Sequence, residues 1–252
     1  MSSGERLRNR LILGALGAAL GLLVVVYPRV LATGVAQIGV RPLALGLLGL
    51  GAVLALLGRG LRHRALGVTA LAVPILLVLA AATGKPIFLQ LVPTAVYGIA
   101  AGILVASLGE PMSLMERAVR TLIPAAPDFI ADYCRSLTRF WAWFFAATAA
   151  VTAGLAIAGL VQWWQAVTSW GVFAAMLAVF AIEFAIRKTR FRYYYVGGPI
   201  DRIWSHFFPA EETALGRKSL EYIRIRRDQI RREREAETTR RDAQGKPGRP
   251  SR

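Results

Sequence analysis

The chain has a single cysteine, Cys134, and two histidines, His63 and His206, in 252 residues. A lone thiol forms no intramolecular disulfide and builds no cysteine zinc cluster. The two imidazoles lie in separate basic segments and belong to no HExxH motif, and no serine-elbow motif is present. Carboxylates are scarce: 15 Asp and Glu stand against 31 Lys and Arg. Only Glu183 lies inside a long apolar stretch, whereas an intramembrane proton relay needs several acids. Metal, triad and acid–base chemistry therefore find no convergent set of groups, and no cofactor is expected.

Apolar sequence is what the chain has in quantity. It is 55% hydrophobic, with a mean hydropathy of +0.47, too apolar for an ordinary soluble domain. A bilayer core of about 30 Å is crossed by about 20 apolar residues in a helix. Six stretches approach or meet that length: Leu11–Leu31, Pro42–Gly58, Ala65–Thr83, Pro86–Leu108, Phe140–Val161 and Ser169–Ile186. They run continuously apolar and do not alternate, which predicts helices rather than barrel strands. The expected fold is all-α, a polytopic bundle of about six spans over residues 1–186. An interfacial aromatic-basic segment at 187–209 and a basic helix and tail at 210–252 follow. The first stretch follows Arg6, Arg8 and Arg10 but ends on Tyr27, Pro28 and Arg29 with no small-x-small cleavage site. It reads as an uncleaved signal anchor.

Arginine sets the orientation. With the N-terminus inside, the cytoplasmic segments hold Arg6, Arg8 and Arg10, then Arg59, Arg62 and Arg64, then Arg117, Arg120, Arg135 and Arg139, and then the tail. The other side holds only Arg29, Arg41 and Lys85. The positive-inside rule thus puts both termini in the cytoplasm. More than half of the 31 basic residues lie at or after Arg187. The net charge of +16 is therefore juxtamembrane, where anionic lipid is the expected partner and nucleic acid is not. Trp163, Trp164 and Trp170 bracket the last loop, and Trp141 and Trp143 open the fifth span, as interfacial aromatics do.

Within the spans, Gly17-x-x-x-Gly21, Gly98-x-x-x-Gly102 and the ladder Ala146, Ala150, Gly154, Ala158 offer small faces for close helix packing, inside one bundle or along a homo-oligomer seam. Pro74 and Pro93 predict kinks. Thr69, Gln90, Thr94 and Tyr97 are the residues that would line a cavity between kinked helices. Glu183 has Arg187 four residues on, the spacing of a helical ion pair. Residues 110–139 interrupt the hydropathy. Met115, Val119, Leu122 and Ile123 form one apolar stripe, and Phe129, Ile130, Tyr133, Cys134 and Leu137 a second beyond Pro124 and Pro127. This pattern predicts two short amphipathic helices lying on the inner leaflet or capping the bundle. Ile200, Ile203, Trp204, Phe207 and Phe208 form another small apolar surface, and Leu220, Ile223 and Ile230 a thin line on a charged helix ending near Thr239. From Asp242 the Gly/Pro/Arg composition predicts disorder.

Several of these residues carry a resemblance. Met115-Glu116-Arg117, Tyr133-Cys134-Arg135, Thr138, Trp141 and Phe144-Phe145, with Phe180-x-x-Glu183-x-x-x-Arg187, Arg190-Phe191-Arg192, Asp201-Arg202 and Phe208-Pro209, resemble a family of small bacterial inner-membrane proteins. Members are often encoded among polyketide/fatty-acid-synthase-like genes for aryl polyene pigments. The resemblance covers about the second half of the chain. Family members often carry Asn shortly after the paired Phe, where this chain's nearest polar residue is Thr148, and they lack so long an Arg-rich tail. The resemblance implies functional weight at Glu116, Arg117, Tyr133, Arg135, Trp141, Glu183, Arg187, Arg190, Asp201 and Arg202. The expected function is an accessory or scaffold subunit of a membrane-associated biosynthetic system, working with a membrane-associated protein. The alternative is a transporter or flippase of a lipid-like intermediate.

Overall fold

A computed structural model describes residues 26–57, 71–122, 126–192 and 198–244. Contacts divide the chain into two compact units, Met1–Met176 and Leu177–Arg252. The elements among the described residues are all helices, joined by short turns, without a strand.

The first unit begins with helix α1 over residues 26–38. Gly39, at φ +85°, breaks it and donates its N–H to the Val35 carbonyl at 3.2 Å. Glycine reaches this left-handed region without the Cβ penalty, which lets the chain turn in one residue. α2 (Val40–Leu57) follows, then α3 (Ala72–Thr83), whose C-cap Gly84 is also left-handed. α4 is Ile87–Leu108, and the short α5 is Leu114–Leu122. A 3₁₀ turn at Asp128–Ile130 runs directly into α6, Ala131–Ile157. Asp128 and Asp132 in its first turns complement the helix dipole. α7 (Val161–Ala166) continues through a π-helical turn, Val167–Gly171, into α8 (Val172–Phe191).

Three helical stretches are long and apolar enough to cross a membrane: Ile87–Leu108, Asp128–Ile157 and Val161–Phe191. Val40–Ala52 and Ala72–Thr83 are shorter apolar helices. The long helices bury little of their apolar surface. Trp143 is 77% exposed, Ile157 70% and Leu177 62%, which suits a lipid solvent. The core gathers at the end of the first unit where α1 meets α2, α3 starts toward α4, and α6 gives way to α7. Leu31, Ala44, Leu77, Ala80, Leu89, Ala156 and Trp164 are buried together there. The Tyr27 hydroxyl donates to the Leu89 carbonyl at 2.9 Å.

The most extensive helix pairing is α4 against α6. The Thr94 and Thr152 hydroxyls are 2.9 Å apart across it, and the Tyr97 and Phe145 rings stack with centroids 6.3 Å apart. Hydroxyls exchanging a hydrogen bond are a common adhesive between helices in lipid.

The second unit holds the end of α8, then α9 (Pro199–Phe207), a 3₁₀ turn at Ala210–Glu212 and α10 (Ala214–Gln244). α9 packs inward through Trp204, whose ring meets Phe184 at 6.3 Å, and through buried Asp201. Ile200, Ile203 and Phe207, spaced three and four apart, are exposed on its other side.

Several expectations are corrected. The segment 32–41 is not a loop, because α1 and α2 fill it and Gly39 alone makes the bend. The second amphipathic stripe of the insert is not a separate helix: nothing after Pro127 interrupts helical geometry, so it forms the first turns of α6. Only the Leu114–Leu122 helix stands apart, with buried Ser113 as its N-cap accepting from the Glu116 N–H at 3.4 Å. Pro74 is in the first turn of α3 rather than mid-helix, where its missing donor costs nothing. The loop between α6 and α7 is three residues, 158–160, so Trp163, Trp164 and Trp170 lie on helix. Trp164 is a fully buried core residue, and Trp141, 3% exposed, is core as well. Gly98, Gly102, Ala146, Ala150, Gly154 and Ala158 are exposed and do not form the α4–α6 contact. α10 runs on past Thr239 and Asp242 to Gln244. Gly17, Gly21, Thr69, His63 and residues 245–252 lie outside the described residues.

Candidate functional site

The ten residues singled out by sequence divide five to each unit, and contacts gather Glu116, Arg117 and Arg135 in the first and Glu183, Arg187 and Asp201 near one another in the second. The first cluster lies where α4 ends and α6 begins. Gly109 caps α4, and the chain then turns sharply to enter α5. Ser107 donates to the Leu104 carbonyl at 2.7 Å and accepts the Leu114 N–H at 3.2 Å, closing that turn. Arg135 on α6 donates to the Glu110 and Pro111 carbonyls, both at 3.1 Å. Arg117 pairs with Glu110 at 2.9 Å. Arg120 sits between two carboxylates: Nε reaches Glu116 and Nη2 reaches Asp128, each at 3.0 Å. The Asp128 bond, then the Glu116 bond, hold this guanidinium still more firmly protonated than an ordinary arginine. Glu116 itself is buried. The arrangement is a polar collar that ties α5 to both long helices.

Two other predicted residues lie close by in sequence. Tyr133 is half-buried in the first turns of α6. Trp141 stands in an aromatic group, edge-on to Phe144 at 5.3 Å and tilted against Phe145 at 5.8 Å. Cys134 is buried and its carbonyl accepts from Thr138 at 2.8 Å.

The second cluster belongs to the end of α8 and to α9. Glu183 and Arg187 form the expected ion pair at 3.4 Å, with the arginine half exposed. One turn on, Lys188 pairs with buried Asp201 across the α8–α9 connection. Arg192 closes α8 at φ +48°, a left-handed conformation that side chains disfavour. Its guanidinium compensates by donating to the Pro209 carbonyl and by pairing with Glu212 at 2.8 Å. Ser219 of α10 donates to the Phe191 carbonyl at 2.7 Å. Arg190 lies 6.0 Å over the Phe191 ring, and Arg202 is exposed.

Sequence reading named Glu116 and Asp201 but missed their partners Arg120 and Lys188, and it missed the pairs Arg120–Asp128 and Arg192–Glu212 beside them. Glu116 and Arg120 carried the four-residue signal of a helical pair. Lys188 and Asp201 carried none, since thirteen residues and a turn separate them. Among the described residues no three His, Cys, Asp or Glu side chains come together as a metal site would need. No family model matches the chain, and no curated protein or solved structure matches it either.

Proposed function

We propose that this chain is a six-span protein of a bacterial inner membrane, with both termini cytoplasmic, that serves as a non-enzymatic accessory or scaffold subunit. Its setting is a membrane-associated biosynthetic system of the kind the family resemblance implies. The observation that carries the reading is the condition of the polar groups along α4, α6 and the last turns of α8. Thr94 and Thr152 satisfy each other and Glu183 is paired, while Gln90 and Tyr97 are buried in packing, the Tyr97 ring stacked on Phe145 and its hydroxyl without a partner among the described residues. Polar groups arranged this way hold helices together, whereas a lipid pathway needs them lining an open cavity.

The order of the helices supports the topology. Arg41 reaches to within 3.4 Å of the Cβ position at Gly84, and Arg29 lies 5.9 Å from the Trp170 ring. The three connections assigned to the outer side thus gather at one end, while Arg135 meets Glu110 at the other. The exposed Ile200, Ile203 and Phe207 suit an in-plane helix at the inner leaflet, and the arginines of α10 suit its anionic headgroups.

Two measurements test this reading. Reporter fusions after Arg64 and after Lys85 should report opposite compartments, cytoplasmic for the first; a periplasmic signal from the first fusion overturns the topology. Full-length protein reconstituted into vesicles holding a fluorescent phospholipid in both leaflets should leave the inner pool protected from an external quencher. Quenching of the inner pool well above protein-free vesicles would replace the accessory role with lipid translocation.

A further inference from the structure

The first unit has a cavity of about 430 Å³ between α1 and the π-helical turn after α7. That is within the roughly 300–1,000 Å³ of small-ligand pockets. The polar groups on its walls are Arg29 and Thr33 from α1 and Gln162, Gln165 and Ser169 from α7 and the turn, with Trp170 at the rim.

The turn forms part of one wall of the pocket. Thr168 donates its hydroxyl back to the Trp164 carbonyl at 2.6 Å, which competes with the regular helical ladder. The helix widens over Val167–Gly171 and the Val172 N–H reaches five residues back to the Val167 carbonyl. Such π-bulges occur frequently at functional sites. Trp164, fully buried beneath, fixes the turn against the core.

The electrostatics point to the ligand. Arg29 holds its guanidinium 5.9 Å from the Trp170 ring centroid, a cation–π contact that fixes the side chain without neutralising it. It has no ion pair among the described residues. The reason is compositional: the sequence contains no Asp or Glu between Glu5 and Glu110, and none between Asp132 and Glu183. The helices that build this end of the unit therefore bring no carboxylate to it. Gln162, Gln165 and Ser169 likewise have no hydrogen-bond partner among the described residues, although Ser169 is only 6% exposed. The Thr33 hydroxyl is already committed to the Arg29 carbonyl at 2.9 Å. One cation, two amides and a hydroxyl thus line the same cavity, and no carboxylate among the described residues pairs with Arg29.

We propose that this cavity binds a phosphate-type oxyanion, with Arg29 as the charged donor, Gln162, Gln165 and Ser169 as neutral donors, and Trp170 as the wall that orients the guanidinium. A planar guanidinium pairs two phosphate oxygens at once, which an ammonium cannot do. The phosphate has two possible sources, the headgroup of an anionic lipid or free phosphate. The site is independent of the accessory-subunit reading and would stand if that reading failed.

The test uses full-length protein in detergent, in enough salt to release lipid from the exposed arginines of α10. Native mass spectrometry counts phosphatidylglycerol against phosphatidylcholine retained, and thermal unfolding is followed with and without inorganic phosphate. Wild-type protein should retain phosphatidylglycerol preferentially. Arg29→Gln should lower that retention by about tenfold, and Gln165→Leu by a smaller factor. Arg41→Gln, which removes a cation from the same end but not from the cavity, should match wild type. Retention that phosphate does not displace assigns the site to a lipid headgroup. A phosphate-dependent rise in Tm that is lost in Arg29→Gln, with displacement of lipid, assigns it to free phosphate. Wild-type protein that neither prefers phosphatidylglycerol nor responds to phosphate overturns the proposal. So does a folded Arg29→Gln protein that binds as wild type does.

Discussion

The two ends of α4 and α6 use charge in opposite ways. Where α4 ends and α6 begins, Glu110, Glu116 and Asp128 each meet an arginine at about hydrogen-bond distance. At the far end of these helices, about 33 Å away along the 22 residues of α4, Arg29, Arg41 and Lys85 meet no carboxylate among the described residues. The first end is a closed electrostatic network whose charges cancel one another. The second is held by apolar packing around Trp164 and leaves its cations unneutralised. The same net charge can therefore mean architecture at one end and availability for a ligand at the other. Counting charges along the sequence does not separate the two cases; locating the carboxylates does.

The comparison is broken most directly at Trp164. If apolar packing alone secures the Arg29 end, Trp164→Ala should be the most damaging single change, costing about 3–5 kcal/mol as for other fully buried aromatics. Trp163→Ala, at a residue 68% exposed, should stay within about 0.5 kcal/mol of wild type. Unfolding in a single detergent measures both. Equal losses at the two positions would show that Trp164 is not the keystone of that end.

The collar gives a smaller and graded effect. Glu116→Gln removes a buried carboxylate from Arg120 and should lower the Tm clearly. Asp128→Asn should lower it less, because the Asp128 side chain is 96% exposed and water replaces its contribution. The opposite ranking would mean that the outer ion pair, not the buried one, secures α5.

Sequence alone made much of this legible, for identifiable reasons. Long apolar runs declared α4, α6 and α8, and the four-residue spacing declared Glu183–Arg187. The boundaries were harder. The stripe Phe129 to Leu137 has the pattern of an interfacial helix, but the same pattern serves as the first turns of a longer helix when no breaker follows. Gly39 reads as one small residue among many until its positive φ makes it the entire turn. Trp164 and Trp163 are adjacent and chemically identical, yet one is core and one is surface, because a helical face decides that and a tryptophan near an interface fits either. The Arg29 cavity was invisible for another reason: its two walls are more than a hundred residues apart, and one of them is a π-helical turn that apolar patterning does not announce.

Glu183→Gln asks whether a third paired charge behaves like the collar. Glu183 is 13% exposed, but Arg187 is half exposed and the separation is 3.4 Å, so the pair should exceed a surface i,i+4 pair, about 0.3–0.5 kcal/mol, only modestly. The variant should accumulate to normal levels with a Tm close to wild type. Its phenotype should survive as well; complete loss of phenotype at normal protein level would make Glu183 a mechanistic acid and end the analogy with the collar.

The smallest effect belongs to α10, which extends the comparison to charges only partly cancelled. Arg224, Arg226, Arg227, Arg231, Arg232 and Arg234 crowd one stretch, and Glu233, Glu235 and Glu237 offset part of them. Arg224, Arg227, Arg231 and Arg232 are exposed, so each interacts with a headgroup through screened solvent. At physiological salt the Debye length is about 8 Å, and an exposed arginine near an anionic surface contributes about 1 kcal/mol at most. Association should therefore be weak at physiological salt and fall steeply as salt rises. A peptide covering Glu211–Arg252 should bind vesicles containing phosphatidylglycerol at low salt and leave them at high salt. Equal binding to purely zwitterionic vesicles would show that the thin apolar line of Leu220, Ile223 and Ile230, rather than the arginines, drives adsorption.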